Sequence, residues 1–415
     1  MLRRRRPLDE AIETSAGDVQ LSARDRALGH AIVAMALRRH GQIKHLLSRY
    51  LQKPLPRKSG EAREILIAGA AQILFMRIPV HAAIDTSVEI ARLSPDATHF
   101  AGLINAVLRR LAEKGFDEET ERSTRRLNTP DWLWRRWTAA YGDDTARQIA
   151  DTHLQEPPLD ISVKSDPARW AEALGGIVLP TGTVRITSPR GRIEDFPGYA
   201  EGAWWVQDAA AALPARLLGD VAGLDVLDLC AAPGGKTAQL AAAGAKLTAV
   251  DRSPARLERL QQNLSRLGLS ADTVVAKAEE FRQSMSFDAV LLDAPCSATG
   301  IVRRNPDIPH LKRPEDIASL KSLQAKMLDN AVTLVRPGGL LVYCTCSLEP
   351  EEGEEQIEAL LGRNNSLARV LIKPPEIGGA GHLITPKGDL RTLPCHVLGP
   401  AVGLDGFFAA RLRRL

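Results

Sequence analysis

Three short segments of this 415-residue chain hold reactive residue types at spacings that chemistry can use. The first is DLCAAPGGKT, Asp228 to Thr237, between strand-like and helix-like sequence. Gly234 and Gly235 let backbone N–H groups close on a ligand where a helix begins, and the helix dipole there favours an anionic or carboxylate group. Gly235-Lys236-Thr237 has the look of a phosphate loop, but that motif needs glycine where Cys230 stands, which disfavours ATP. No GxGxxG pattern is present, although Asp251 ends the next strand where an acid would accept ribose hydroxyls. A nucleoside cofactor without pyrophosphate remains.

The second segment is DAPCSATG, Asp293 to Gly300, and the third is CTCSLEPEE, Cys344 to Glu352. Each sits at the carboxyl end of a strand-like run, where doubly wound sheets form their ligand crevice. Cys230, Cys296, Cys344 and Cys346 therefore lie near one rim. A zinc cluster from these thiols is disfavoured, because no CxxC pair is present and the nine histidines form no ligand pattern. No metal is expected.

Two kinds of sequence must position these segments. From Leu21 to Glu113 apolar residues recur at helical spacing with Ala-rich composition, which predicts an all-helical domain with breaks at Gly41, Lys53 to Gly60, Pro79 and Ser94-Pro95. A further helix runs from about Ala97 and stops near Gly115. Residues 117 to 128 read as a charged linker, and Thr129-Pro130-Asp131 as a helix start before WLWRRWTAAYG. Trp132, Trp134 and Trp137 read as core rather than as base-stacking platforms. Helix-like ARWAEAL and strand-like Ile177-Val178 and Val184 to Ile186 give a small α+β segment. From Leu224 onward, LDVLDL, KLTAVD, DTVVA, FDAVLLD and GGLLVYC read as five buried strands, with helices after Gly235, Pro254, Pro314 and Pro350. DGFFAARLRR reads as a last edge or antiparallel strand. The expected architecture is multidomain: all-α over residues 1–126, small α+β over 127–205, and a doubly wound Rossmann-like α/β domain over 206–415.

Composition narrows the class. Hydrophobic residues at 44% and charged residues at 25% exclude global disorder. No run approaches the ~18–20 apolar residues of a membrane span, and the N-terminus has no secretory h-region, so a cytoplasmic protein with no membrane partner is expected. Five cysteines, an odd number, point to free thiols in a reducing compartment. The net charge is +4, but residues 1–126 hold 22 Lys/Arg against 15 Asp/Glu, while the remainder is near balance. That asymmetry fits an N-terminal module that meets a polyanion. Arg3 to Arg6 read as a solvated, mobile tail that adds nonspecific phosphate affinity.

The ordered set DLCAAPGGKT, Asp251, DAPCSATG followed by IVRRNPDI, and CTCS with an acidic tail resembles the Sun (Fmu) family of S-adenosylmethionine-dependent RNA cytosine-C5 methyltransferases. NAVLRR, Asn105 to Arg110, lies in a helical module similar to the NusB fold, so the resemblance covers nearly the whole chain. It implies methyl transfer from S-adenosylmethionine to C5 of an unpaired or flipped cytidine in 16S ribosomal RNA; a monomer is expected. C5 of cytosine is a poor nucleophile, so a thiolate must first add at C6. The resemblance gives that attack to Cys346 and gives Cys296 the removal of the C5 proton or release of the adduct. Asp293 matches the family's acid beside the N3/N4 edge of the base, where the resemblance implies that it stabilises developing charge. Lys236 is expected to lower a thiol pKa or orient a ligand. The implied cofactor contacts are Cys230, Ala231, Ala232, Pro233, Gly234, Gly235, Lys236, Asp251 at the ribose, Arg256, and Asp293 near the methionine end. Where the family carries an acid after the third strand this chain has Ala278, and Glu279 is expected to take its place with a one-residue shift. Arg303 and Arg304, directly after DAPCSATG, are expected RNA contacts, and Cys344 and Cys395 are expected to be structural.

Two other classes compete. A DNA cytosine-C5 methyltransferase would attack through the Cys of the PC dipeptide and follow it with an acidic ENV-like segment, whereas Ser297-Ala298 follows Cys296 here. A noncatalytic RNA-binding or antitermination factor with a relic methyltransferase domain would be expected to lack Cys346, Cys296 or Asp293, and all three are present.

Overall fold

The computed structural model describes residues 5–19, 21–56, 58–116, 118–189 and 191–415. The chain forms two compact units, one of residues 1–155 with 302–312 and one of 156–301 with 313–415.

The first unit is helical: α1 (Leu8–Val19), α2 (Ala23–Arg38), α3 (His40–Tyr50), α4 (Ala62–Phe75), α5 (Val80–Leu93), α6 (Ala101–Lys114), α7 (Glu118–Asn128), α8 (Asp131–Tyr141) and α9 (Asp143–His153). Ser22 caps α2 by accepting from the Asp25 N–H, as serine does at helix starts. Ile43, Leu46, Leu66, Ala70, Ile104, Leu108 and Leu111 are buried together, which is the apolar periodicity of the sequence turned inward. Two expectations are corrected here. The stretch read as a linker is α7, whose last residue is tied to α3: Asn128 accepts from the Gln42 N–H at 3.1 Å. The break expected at Gly41 falls at Arg39, and Gly41 is inside α3. A Cβ at Gly41 would lie 1.7 Å from the Leu127 carbonyl oxygen, so this glycine serves close approach of α7 rather than a turn. Trp137 is buried at 1% exposure against the ring of His153, 5.3 Å away.

In the second unit, β1 (Leu159–Val163), α10 (Pro167–Leu174), β2 (Ile177–Val178), β3 (Val184–Ile186) and β4 (Trp204–Val206) form a small antiparallel sheet of order β2-β3-β1-β4. Its centre is a buried bidentate pair in which Arg185 donates to both Asp160 oxygens at 2.7 Å. The chain continues through α11 (Leu213–Arg216), β5 (Asp225–Leu229), α12 (Gly235–Ala242), β6 (Lys246–Asp251), α13 (Pro254–Arg266), β7 (Asp272–Val275) and β8 (Phe287–Asp293). Residues 302–312, with α14 (Ile308–Leu311), belong to the helical unit. Then follow α15 (Pro314–Leu334), β9 (Val335–Thr345), α16 (Glu354–Arg363), β10 (Leu367–Arg369), β11 (Leu390–Thr392), β12 (Val397–Leu398), β13 (Ala401–Val402) and β14 (Phe407–Arg414).

The main sheet runs β10-β14-β9-β8-β5-β6-β7, with β9, β8, β5, β6 and β7 parallel and β14 antiparallel to β9. Strand order reverses at β5, the switch point at which such sheets hold ligands. All five expected parallel strands form, although β7, at the end of the sheet, is half-exposed rather than buried. β14 lies between β9 and β10, so the C-terminal segment is an antiparallel strand inside the sheet and not an edge. The small sheet falls in the same unit as the main sheet, and the boundary expected at residue 126 lies inside α7.

Candidate active site

Parallel pairing of β8 with β9 places Asp293 opposite Cys344, so the two segments that leave these strands run side by side. The Sγ atoms of Cys296 and Cys346 are 3.4 Å apart. The Gly300 N–H donates to the Cys346 carbonyl at 3.0 Å, and the Gly406 N–H donates to the Gly300 carbonyl at 2.8 Å. A Cβ at Gly300 would stand 2.0 Å from the Gly406 carbonyl oxygen, so only glycine lets three segments meet there. The Cys296 thiol is pushed well above its ordinary pKa, first by its hydrogen bond with Cys346, then by burial and by the charges of Cys346 and Glu352. Cys296 is therefore a thiol while Cys346 carries no substituent.

Asp293 ends β8 beside this pair. Its Oδ2 accepts from Lys236 Nζ at 2.8 Å, and its Oδ1 accepts from the Cys344 thiol at 3.4 Å. Lys236, in the first turn of α12, also lies 5.0 Å from the centroid of the Phe407 ring. Burial opposes the Lys236 charge, but Asp293 first, then Cys344 and Cys346, raise its pKa above the ordinary value, so it is a cation at neutral pH. Cys344 is fully buried, and burial and Asp293 raise its thiol, which disfavours the reactive thiolate. Cys395 is half-buried and raised by burial alone.

The turn from β5 into α12 forms a cradle. Gly234 is the N-cap at φ 104°, and no side chain caps α12, which leaves the N–H groups of its first turn for a ligand. Cys230 sits at φ 63°, a left-handed conformation that costs a non-glycine residue about 1–2 kcal/mol. Asp251 accepts from the Ser253 N–H at 3.0 Å and the Ala232 N–H at 3.3 Å, and Arg256 pairs with it at 3.3 Å. A carboxylate offers about four acceptor sites, so one stays open, and the half-exposed Arg256 covers another. After β7, Ala278 is buried and its carbonyl accepts from Asn330 at 2.7 Å. Glu280 pairs with Lys277 at the surface, whereas Oε2 of Glu279 is buried with no hydrogen-bond partner. An orphaned buried carboxylate oxygen fits a donor such as an exocyclic amine. The cradle, the acid of β6 and this oxygen together suit a nucleoside with a charged tail.

Asp228, inside β5, accepts from Thr237 Oγ1 at 2.7 Å while its other oxygen is unpartnered. Burial pushes its pKa from 3.8 up to about 7. Its contribution to stability is complete below the unfolded value and is lost as pH rises through about 7. An Asp228→Asn variant should therefore show a flatter profile of thermal midpoint between pH 4 and 8 than the parent chain. An unchanged profile would mean that Asp228 is ionised in the folded state throughout that range.

Of the two expected RNA contacts, Arg304 is half-buried and Arg303 is buried. Arg303 and Arg304 belong to the helical unit, where Arg303 is 2% exposed and its carbonyl accepts from Arg38 at 2.7 Å. A side chain so buried does not serve as a surface phosphate contact. Of the basic tail, Arg3 and Arg4 lie outside the described residues, and Arg5 is not a free arm: it donates to the Leu311 carbonyl at 3.1 Å. Glu352 and Gln324, which tie the cysteine segments together, carry no mark in the sequence. The acidic run after CTCS was visible, but nothing in its spacing marks the one acid that turns inward. Among the described residues no group of three His, Cys, Asp or Glu is placed to hold a metal, and no helix is long and apolar enough to cross a membrane.

Fold and site together define a Rossmann-like methyltransferase domain, and similarity to known proteins makes the class specific. Residues 216–413 match the 16S rRNA methyltransferase RsmB/F family, and residues 1–113 match the NusB family. The chain is 37% identical over 411 residues to the ribosomal RNA small subunit methyltransferase B of Klebsiella pneumoniae (strain 342), covering 95% of this chain and 91% of that one. It is 36% identical over 383 residues to the same enzyme of Vibrio cholerae, covering 88% and 87%. The crystal structure of PH0851 matches with a TM-score of 0.77 at 24% identity, over 95% of this chain and 91% of that one. A methyltransferase homologue from Pyrococcus horikoshii matches at 0.56 and 25% identity, over 74% and 98%. The chain belongs to the RsmB/F family of 16S rRNA methyltransferases and carries the NusB domain at its N-terminus.

Proposed function

We propose that this enzyme transfers a methyl group from S-adenosylmethionine to C5 of a cytidine in 16S ribosomal RNA through a transient bond between Cys346 and C6, acting as a cytoplasmic monomer. The observation that carries the mechanism is the pair of thiols 3.4 Å apart beside the Lys236–Asp293 ion pair. One sulfur can add to a ring while the other stays within reach of the adjacent carbon. The target base must be unpaired or flipped out, because attack at C6 and methylation at C5 need access to the ring faces.

S-adenosylmethionine supplies the methyl group when bound. The backbone of Cys230, Ala231, Ala232, Pro233, Gly234 and Gly235 would hold its amino-acid end with Lys236 and Asp293 close by, Asp251 and Arg256 its ribose, and Glu279 its adenine amine. Thiolate addition at C6 breaks the C5–C6 double bond and moves an electron pair to C5, with the opposite edge of the ring taking up a proton at N3. In this reading Asp293, beside the thiol pair, would stabilise that protonated edge. Once Cys346 is a thioether, its hydrogen bond no longer holds Cys296 protonated. After the pair at C5 has formed the bond to the methyl carbon, whose bond to sulfur breaks, Cys296 can give its own proton to solvent and take the C5 proton; the returning electron pair restores the double bond and expels the Cys346 thiolate, and N3 gives up the proton it gained. The basic excess of the N-terminal domain supports phosphate contacts that set register without reading sequence.

Mapping C5-methylcytidines in 16S rRNA from cells with and without this chain tests the reading. One position should lose its methyl group when the chain is absent and regain it on complementation; an identical map in both strains would refute the assignment. For the cofactor, a Glu279→Ala variant should bind S-adenosylmethionine about tenfold more weakly by calorimetry, the loss of roughly one buried hydrogen bond. Unchanged affinity would take Glu279 out of the adenine contacts.

A further inference from the structure

Glu352 is fully buried, and no cation pairs with it among the described residues. Burial of a carboxylate without a counter-charge is costly unless several donors compensate. Here the donors come from both cysteine segments. The Ser297 N–H donates to the two carboxylate oxygens at 3.0 and 3.1 Å, and Ser297 Oγ donates to Oε2 as well. Ser347 Oγ donates to Oε2 at 2.6 Å, and Gln324 Nε2, from α15, donates to Oε1 at 3.0 Å. Ser297 follows Cys296 and Ser347 follows Cys346, so one carboxylate holds the neighbour of each thiol. The Glu352 backbone is itself anchored, since its carbonyl accepts from the Tyr343 hydroxyl of β9 at 2.8 Å. The turn it grips contains Ala298 at φ 60°, a strained conformation that persists only where its surroundings impose it.

We infer that Glu352 is a positioning residue for methyl transfer, its buried carboxylate clamping the Cys296 and Cys346 segments at the separation that lets two thiols work on adjacent carbons of one ring. The inference rests on the proposed division of labour between the two cysteines. It also assigns a purpose to an otherwise unfavourable buried charge: that charge is among the causes that keep Cys296 protonated. Neutralising it would let Cys296 ionise at lower pH while loosening the clamp. Misplacement of reacting groups by an ångström can cost about 100-fold in rate.

The test uses the full-length chain with Glu352→Gln and Ser297→Ala. Diamide oxidises two nearby thiols to a disulfide and is itself reduced to the hydrazine, so the rate of Cys296–Cys346 bond formation, read by mass spectrometry, reports their proximity. Compared at a pH where both thiols are ionised, Glu352→Gln should form this disulfide at least tenfold more slowly than the parent; it should also lose at least tenfold in kcat with little change in KM for RNA, and alkylate at Cys296 at lower pH. Ser297→Ala, which removes one hydroxyl donor, should shift disulfide formation and kcat in the same direction by less. Parent rates of both disulfide formation and turnover in Glu352→Gln would overturn the inference. If that variant does not fold, parent rates in Ser297→Ala would overturn it instead. Disulfide formation does not depend on which cysteine attacks RNA, so the clamp can fail while the assignment of Cys346 stands, and the reverse.

Discussion

Cys346→Ala is expected to reduce methyl transfer to 16S rRNA by at least about 10³-fold, with S-adenosylmethionine binding intact. The size follows from the chemistry: without addition at C6, C5 of cytosine has no electron pair to offer, and correct placement of base and methyl donor cannot replace it. The fold should survive, because the side chain is small and its sulfur makes one polar contact, with Cys296. The measurement is transfer of labelled methyl to unmethylated 16S rRNA, with cofactor affinity as the control. Retained transfer would place the nucleophile elsewhere, and Cys296 would be the first residue to examine.

Cys296→Ala should give the opposite phenotype. Addition and methylation proceed, but the C5 proton has no base, so the Cys346 thiolate is not expelled and the enzyme remains joined to its RNA. A band of protein plus RNA that withstands denaturing electrophoresis should accumulate to a large fraction of the enzyme, while turnover falls by about 10²–10⁴-fold, the usual worth of a general base. The band should disappear in the Cys296→Ala/Cys346→Ala double variant. A Cys296→Ala enzyme that turns over normally and traps nothing would show that another group, or water, takes the proton.

These opposed phenotypes follow from the roles that the family resemblance gives the two cysteines, whereas the contact between their sulfurs is not carried by the sequence. The motifs place Cys230, Asp251, Asp293 and Cys346 at strand ends because alternating apolar runs and glycine turns are local signals, and the sheet forms as they indicate. What escaped was non-local. The α7 helix is so polar that its sequence resembles a linker, and its pairing with α3 through Asn128 and Gln42 becomes visible only once the two are folded together. The strands β1 and β4 are short, and Asp160 in β1 is an acid whose burial makes sense only opposite Arg185. Arg303 followed a reactive motif and so looked like part of its surface, yet residues 302–312 are folded into the helical unit. Glu352 is one acid in an acidic run, and only the donors converging on it from Ser297, Ser347 and Gln324 distinguish it from its solvated neighbours.

The central claim is a covalent bond from Cys346 to the target base. It is tested most directly by incubating the enzyme and S-adenosylmethionine with 16S rRNA containing 5-fluorocytidine, then digesting any conjugate and locating the modified residue by mass spectrometry. Fluorine at C5 cannot leave as a proton does, so the reaction should stop after methylation with the nucleotide attached to the sulfur of Cys346. A conjugate attached at Cys296, or methylation of normal RNA with no conjugate on the fluorinated one, would contradict the account.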